Sequence, residues 1–141
     1  MRNKGVLLLV ELTVMLAVFA LAAVLCLRAF LWADAASKEM AERDRAMILA
    51  QNAAEVLKNC SGDGATAARR YGGAWEDGVW TLHYDAQWGQ VSSPSRYLLT
   101  LSLEGDAQPF LGLAQVCVTQ TASDFVLWEQ QIAWQEVTAD E

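Results

Sequence analysis

The residue types that could do chemistry in this chain are few and widely spaced. Its one histidine, His83, and its three cysteines, Cys26, Cys60 and Cys117, stand more than twenty residues from one another, whereas a structural zinc site gathers Cys and His at spacings of about two to five residues. His83 lies in the run WTLHY on the side opposite Trp80 and Leu82, which predicts a solvated histidine. Glu76 and Asp77 adjoin and Asp106 stands alone, so no two carboxylates have the separation and pocket context of a general acid–base pair. Gly72 and Gly73 lack the Lys and Ser or Thr that follow in a phosphate-binding loop. The chain therefore reads as a non-enzyme without metal or cofactor. One ionisable residue is nevertheless oddly placed. Glu11 interrupts an apolar run, RNKGVLLLVELTVMLAVFALAAVLCL, where a carboxylate must reach water or find a cation.

The element that positions Glu11 reads as a transmembrane helix. Twenty-two residues from Val6 to Leu27 rise about 33 Å, enough to cross a bilayer. Fourteen of them are Leu, Val or Phe, and at about −0.3 to −0.6 kcal/mol each they outweigh a penalty of at most about 3 kcal/mol for one acid. Glu11 is close enough to the start of the span to reach back to the headgroups. A cleaved secretory signal would have a shorter apolar region and a small-x-small cut site, and no acid. A lipoprotein signal would need a small residue before its cysteine, but Leu25 precedes Cys26, which reads as a membrane-buried thiol. The basic head, Arg2 and Lys4, predicts a cytoplasmic N-terminus and an extracytoplasmic bulk, a bias that Arg28 beyond the span reduces.

A short basic leader ending in glycine, then apolar residues, a glutamate and a long apolar helix resembles the N-terminal signal of type IV pilins and of the pseudopilins of type II secretion and competence systems. The matching residues are Arg2, Lys4, Gly5, the run Val6 to Val10, and Glu11. The resemblance implies cleavage after Gly5 by a prepilin peptidase, methylation of the new N-terminal residue Val6, and a role for Glu11 in assembly, facing the free amine of a neighbouring subunit. It implies as partners other pilin or pseudopilin subunits, the peptidase, an inner-membrane assembly platform and the lipid bilayer. Five residues separate Gly5 from Glu11 where the family has four, a shift of about 1.5 Å along the helix and about 100° around it. Val6 also stands where phenylalanine is common. The likeness covers about the first 60 residues.

Beyond residue 28 remain about 113 residues, enough for one small domain. Removing Arg2, Lys4, Arg28 and Glu11 from the totals leaves sixteen acids against seven bases, a balance of −9 within a chain of −7. Such a surface disfavours direct nucleic-acid contact. Outside the cytoplasm Cys60 and Cys117 can form a disulfide or remain two buried thiols.

No proline precedes Pro94 and no glycine lies between Gly5 and Gly62, so the helix is expected to continue to about Asn59, where SGDG stops it. Its second half is amphipathic, with Ala36, Met40, Met47, Ala50, Ala54 and Leu57 on one stripe. The period then changes to two. Trp80, Leu82 and Tyr84 alternate with polar residues, as do Tyr97, Leu99, Leu101 and Leu103; Ala114, Val116 and Val118 follow, then Val126, Trp128, Ile132 and Trp134 within the run Phe125 to Val137. Short turns at Gly89 to Ser95, Gly105 to Pro109 and Thr121 to Asp124 predict an antiparallel meander of three or four strands. The expected class is α+β, a pilin-like long helix packed on a small antiparallel sheet. Its organisation is a basic leader (1–5), a transmembrane helix (6–28), an amphipathic continuation (29–60), a loop with at most a short helical turn (61–78) and the sheet (79–141).

Six tryptophans, Trp32, Trp75, Trp80, Trp88, Trp128 and Trp134, are many for this length. Trp32 suits an interfacial anchor, and the others suit core or subunit contacts. Two functions compete. One is a structural subunit, a minor pilin or pseudopilin of a type IV pilus, type II secretion or competence filament. The other is an unprocessed single-pass membrane protein whose extracytoplasmic domain binds a partner.

Overall fold

The computed structural model describes residues 3–104 and 111–135. Asp106, the turn Gly105 to Pro109, Arg2 and the strand end at Val137 fall outside the described residues. The chain divides into two compact units, residues 1–41 and 42–141, and the helix α1, Asn3–Asn59, belongs to both.

In the first unit α1 is lined on all sides by exposed apolar side chains. Leu7, Phe19, Leu25 and Phe30 are each at least 67% exposed, and the most apolar window has a mean hydropathy of 2.6 with none of it buried. A helix of this length and composition can serve as a membrane anchor. Thr13 does not disturb it, because its hydroxyl donates back to the Leu9 carbonyl at 2.8 Å.

The second unit begins within α1. The helix stops where Ser61 and Gly62 take positive φ, and the Gly62 N–H returns to the Leu57 carbonyl at 3.0 Å, closing the last turn. Helix α2, Gly64–Tyr71, follows, capped by Asp63, whose Oδ1 accepts from the Ala65 and Thr66 amides. Six strands complete the unit: β1 Ala74–Glu76, β2 Val79–Tyr84, β3 Gln90–Val91, β4 Tyr97–Glu104, β5 Leu111–Gln120 and β6 Phe125–Gln135. All pairings are antiparallel in the order β1-β2-β4-β5-β6, and β3 also lies along β2.

The expected α+β arrangement is therefore found, and the core shows how it holds. Ala46, Ala50, Ala53 and Leu57 of α1 are fully buried with Trp80, Leu82, Leu99, Leu101, Val116 and Val118 of the sheet. Large side chains on the strands meet small ones on the helix in one buried cluster. The burial alternates residue by residue along β2, β4 and β5, as a sheet covered on one face requires.

Three expectations are corrected. The helical stripe is shifted: Ala46 and Ala53 are buried, Met47 is half-buried and Met40 is 66% exposed. The segment 61–78 holds α2 and β1, and Gly89 to Ser95 holds β3, so the described sheet has six strands. In β6 a bulge opposite Val118 and Thr119 pairs Val118 with Trp128 but Thr119 with Val126. The extra residue, Leu127, turns inward while Val126 moves to the outer face and is 44% exposed. Of the two alternatives for Cys60 and Cys117, the structure has the free thiols. Cys60 packs against the core beneath the sheet, whereas Cys117 alternates with buried Val116 and Val118 and so faces the opposite side.

Candidate functional site

The three residues singled out by sequence lie close together in the first unit. Gly5 and Val6 are both inside α1, whose first described residue is Asn3. Space around Gly5 is open, since a Cβ there would meet nothing within 4 Å, and Val6 is 64% exposed. Glu11 follows on the same helix. Its neighbours one turn away, Leu7, Leu8, Val14 and Met15, are exposed and apolar. Thr13, the nearest hydroxyl in sequence, is committed to the Leu9 carbonyl. Among the described residues no cation or donor meets the Glu11 carboxylate. Such a group on an apolar face has its charge open to a cation supplied from outside the chain.

Farther along the unit, Lys38 and Asp34 form an i,i+4 pair at 2.8 Å on exposed helix, and the bond to Asp34 raises the Lys38 pKa. Trp32, expected at an interface, is 77% exposed.

The second unit holds several polar groups in separate places. His83 is half-buried, not freely solvated, and its Nδ1 lies 2.9 Å from Ser95 Oγ. It opens onto a cleft of about 480 Å³ shared with Gly73, Ala74, Gln90, Val91 and Ser92. Among the described residues no carboxylate bonds to this histidine, and no cluster of three His, Cys, Asp or Glu could hold a metal ion. Glu76 ends β1 and Asp77, at positive φ, opens the two-residue turn that leads through Gly78 to β2. The Asp63 carboxyl is held below its ordinary value by hydrogen bonds from the Thr66 hydroxyl and amide, as a helix cap requires. Burial, then the neighbouring Glu129, pushes the Cys117 thiol up, so its nucleophilic form is disfavoured.

Sequence periodicity missed one side-chain group. Trp88 stacks on Tyr97 at 3.8 Å and an interplanar angle of 4°. The Tyr97 hydroxyl donates to Glu42, which Arg96 also approaches at 3.6 Å. Trp88 reaches this position through a positive φ in a turn organised by Asp85, whose Oδ1 accepts from the Gln87 and Gly89 amides. The Asp and Gly of this turn were visible in sequence, but its partner was not.

Comparison with protein-family models, with characterised proteins and with solved structures gives no significant match.

Proposed function

We propose that the chain is a non-enzymatic structural subunit, a minor pilin or pseudopilin of a type IV pilus, type II secretion or competence-type filament. Residues 6–28 hold it in the cell membrane, with the N-terminus cytoplasmic and the C-terminal unit extracytoplasmic. The observation that carries this reading is Glu11, an acid without a partner among the described residues, on an apolar helical face just after the basic, glycine-ended leader. Cleavage after Gly5 would free the amine of Val6. A carboxylate meeting a neighbour's amine at about 4 Å gains at most about 4 kcal/mol at an effective dielectric near 20, similar to the roughly 3 kcal/mol that inserting the acid costs. Assembly and the placement of this acid thus support each other. The partners are other pilin-like subunits, a prepilin peptidase and an inner-membrane platform.

Processing tests the proposal. Chain isolated from cells that contain the peptidase is expected to begin at Val6, with or without an N-methyl group, and to lose about 0.6 kDa. A native chain that begins at Met1 or Arg2 rejects it. The second reading, an unprocessed membrane-anchored binding protein, is favoured by one observation. The five-residue spacing of Gly5 and Glu11 turns the carboxylate about 100° away from the family's position.

A further inference from the structure

We infer that the free edge of β6 accepts an extended basic segment of a partner protein, added to the sheet as a further strand. β6 is the last strand in the sheet order and pairs only with β5 among the described residues. Among the described residues nothing pairs with its backbone donors and acceptors on the far side. At 11 residues it is about twice the usual strand length. Free edges are commonly blunted by shortness, proline, lysine or a bulge; of these β6 has only a bulge, and its single charge is Glu129. The bulge at Leu127 confines the irregularity to one end, and the register from Trp128 to Gln135 is continuous. The opposite edge strand, β1, has only 3 residues.

A groove of about 370 Å³ specifies one side of the incoming strand. It lies between the end of α1 and β6, with the buried side chains of Ala54 and Ile132 among polar Gln51, Glu55, Lys58 and Gln130. Alternate residues of an added strand would turn into this groove, where small apolar side chains match Ala54 and Ile132. The other residues would turn to the outer face. There the Gln115 amide donates to Glu129, and the Gln131 amide donates to Glu104 at 2.9 Å. Neither carboxylate has a cation partner among the described residues. Lysine or arginine at the outward positions would meet Glu129 on β6 itself and act at longer range on Glu104, two strands inboard on β4. The backbone ladder would supply register.

The test uses the full chain in phosphatidylcholine nanodiscs, with a synthetic nonapeptide of alternating lysine and valine. A second peptide of the same sequence is N-methylated at alternate residues and cannot donate along an edge. Amide exchange across Phe125–Gln135 is expected to slow about tenfold with the first peptide and not with the second. The double variant Glu104→Gln, Glu129→Gln is expected to bind the first peptide about tenfold more weakly with the exchange of β4 and β5 unchanged. Equal binding of both peptides, protection that spares β6, or unchanged affinity of the double variant overturns the inference. No peptidase or sister subunit takes part, so failure here is distinct from failure of the proposed function.

Discussion

The Tyr97 hydroxyl donates to Glu42 Oε1 at 3.0 Å, tying β4 to α1 across 55 residues of sequence. Burial, and then this bond, raises the Tyr97 pKa, and the Trp88 ring covers one face of the phenol. Tyr97→Phe keeps the packing and removes only the bond. It should lower unfolding stability by about 1 kcal/mol, because Glu42 is half-exposed and can rehydrate. Trp88→Ala removes a stacked aromatic worth about 0.5–1.5 kcal/mol beyond its area and should cost more. Denaturant midpoints followed by tryptophan fluorescence measure both, and an unchanged midpoint for Tyr97→Phe would mean that the bond adds nothing.

Alkaline stability should report on Tyr84. Its hydroxyl is buried without a hydrogen-bond partner, and burial, followed by nearby Tyr71, pushes its pKa from 10.0 to about 12. A phenol whose folded value is raised favours folding while neutral. That contribution is complete below 10.0 and is lost as pH climbs through about 12. Tyr84→Phe should flatten the loss over this window and leave neutral-pH stability unchanged or slightly higher, because an unsatisfied buried hydroxyl is removed. A wild-type alkaline transition retained in the variant would assign the loss to another group.

Legibility in the sequence followed the strength of each periodic signal. The strands with strict alternation, Trp80 to Tyr84 and Tyr97 to Leu101, were placed on the correct face because a pleat leaves no choice. The helical stripe was less legible. Alanines surround α1 in its second half, so Met40 and Met47 dominated the apolar pattern while Ala46 and Ala53 took the core. Against Trp80 and Tyr97 the layer needs small helix residues, and that demand comes from the sheet, not from the helix's own sequence. β6 was misread at one point because a single inserted residue, Leu127, inverts the parity of everything before it. α2 and β1 are 8 and 3 residues long among glycines, too short for a period to emerge. In the candidate site, the apolar setting of Glu11 was fully visible, since a helix exposed on all sides has no tertiary packing to override its composition.

The two cysteines beyond the first unit should remain unlinked under air oxidation. Cys60 lies on the core side of the sheet and Cys117 on the other, and no rotamer change carries a thiol through a packed layer. Peptide mapping without reductant should recover both as thiols. Cys117 should alkylate slowly at neutral pH, its rate rising only above the ordinary thiol value of 9.0, because burial and Glu129 oppose the thiolate. A Cys60–Cys117 peptide in the map would require β5 to be flipped relative to this register.

Glu11 separates the two functions. As a tolerated interfacial acid it contributes nothing to assembly, and Glu11→Leu and Glu11→Gln would leave co-purification with sister subunits intact. As the acceptor of a neighbour's amine it should behave otherwise. Glu11→Leu removes an insertion penalty of at most about 3 kcal/mol, so membrane integration should persist or improve. Association should nonetheless fail, since an attraction of up to about 4 kcal/mol corresponds to several hundredfold in an equilibrium constant. Glu11→Gln keeps the shape and some hydrogen-bonding capacity but not the charge, and should fall nearer to Leu than to wild type if charge governs the contact. Moving the acid one residue toward the leader, as Val10→Glu with Glu11→Val, restores the four-residue spacing from Gly5. If neighbours are arranged as in the family, this double variant should assemble better than wild type. If instead assembly fails in the shifted variant and persists in wild type, the partner amine is matched to the five-residue spacing, and subunits of this filament pack with their own rotation about the helix axis.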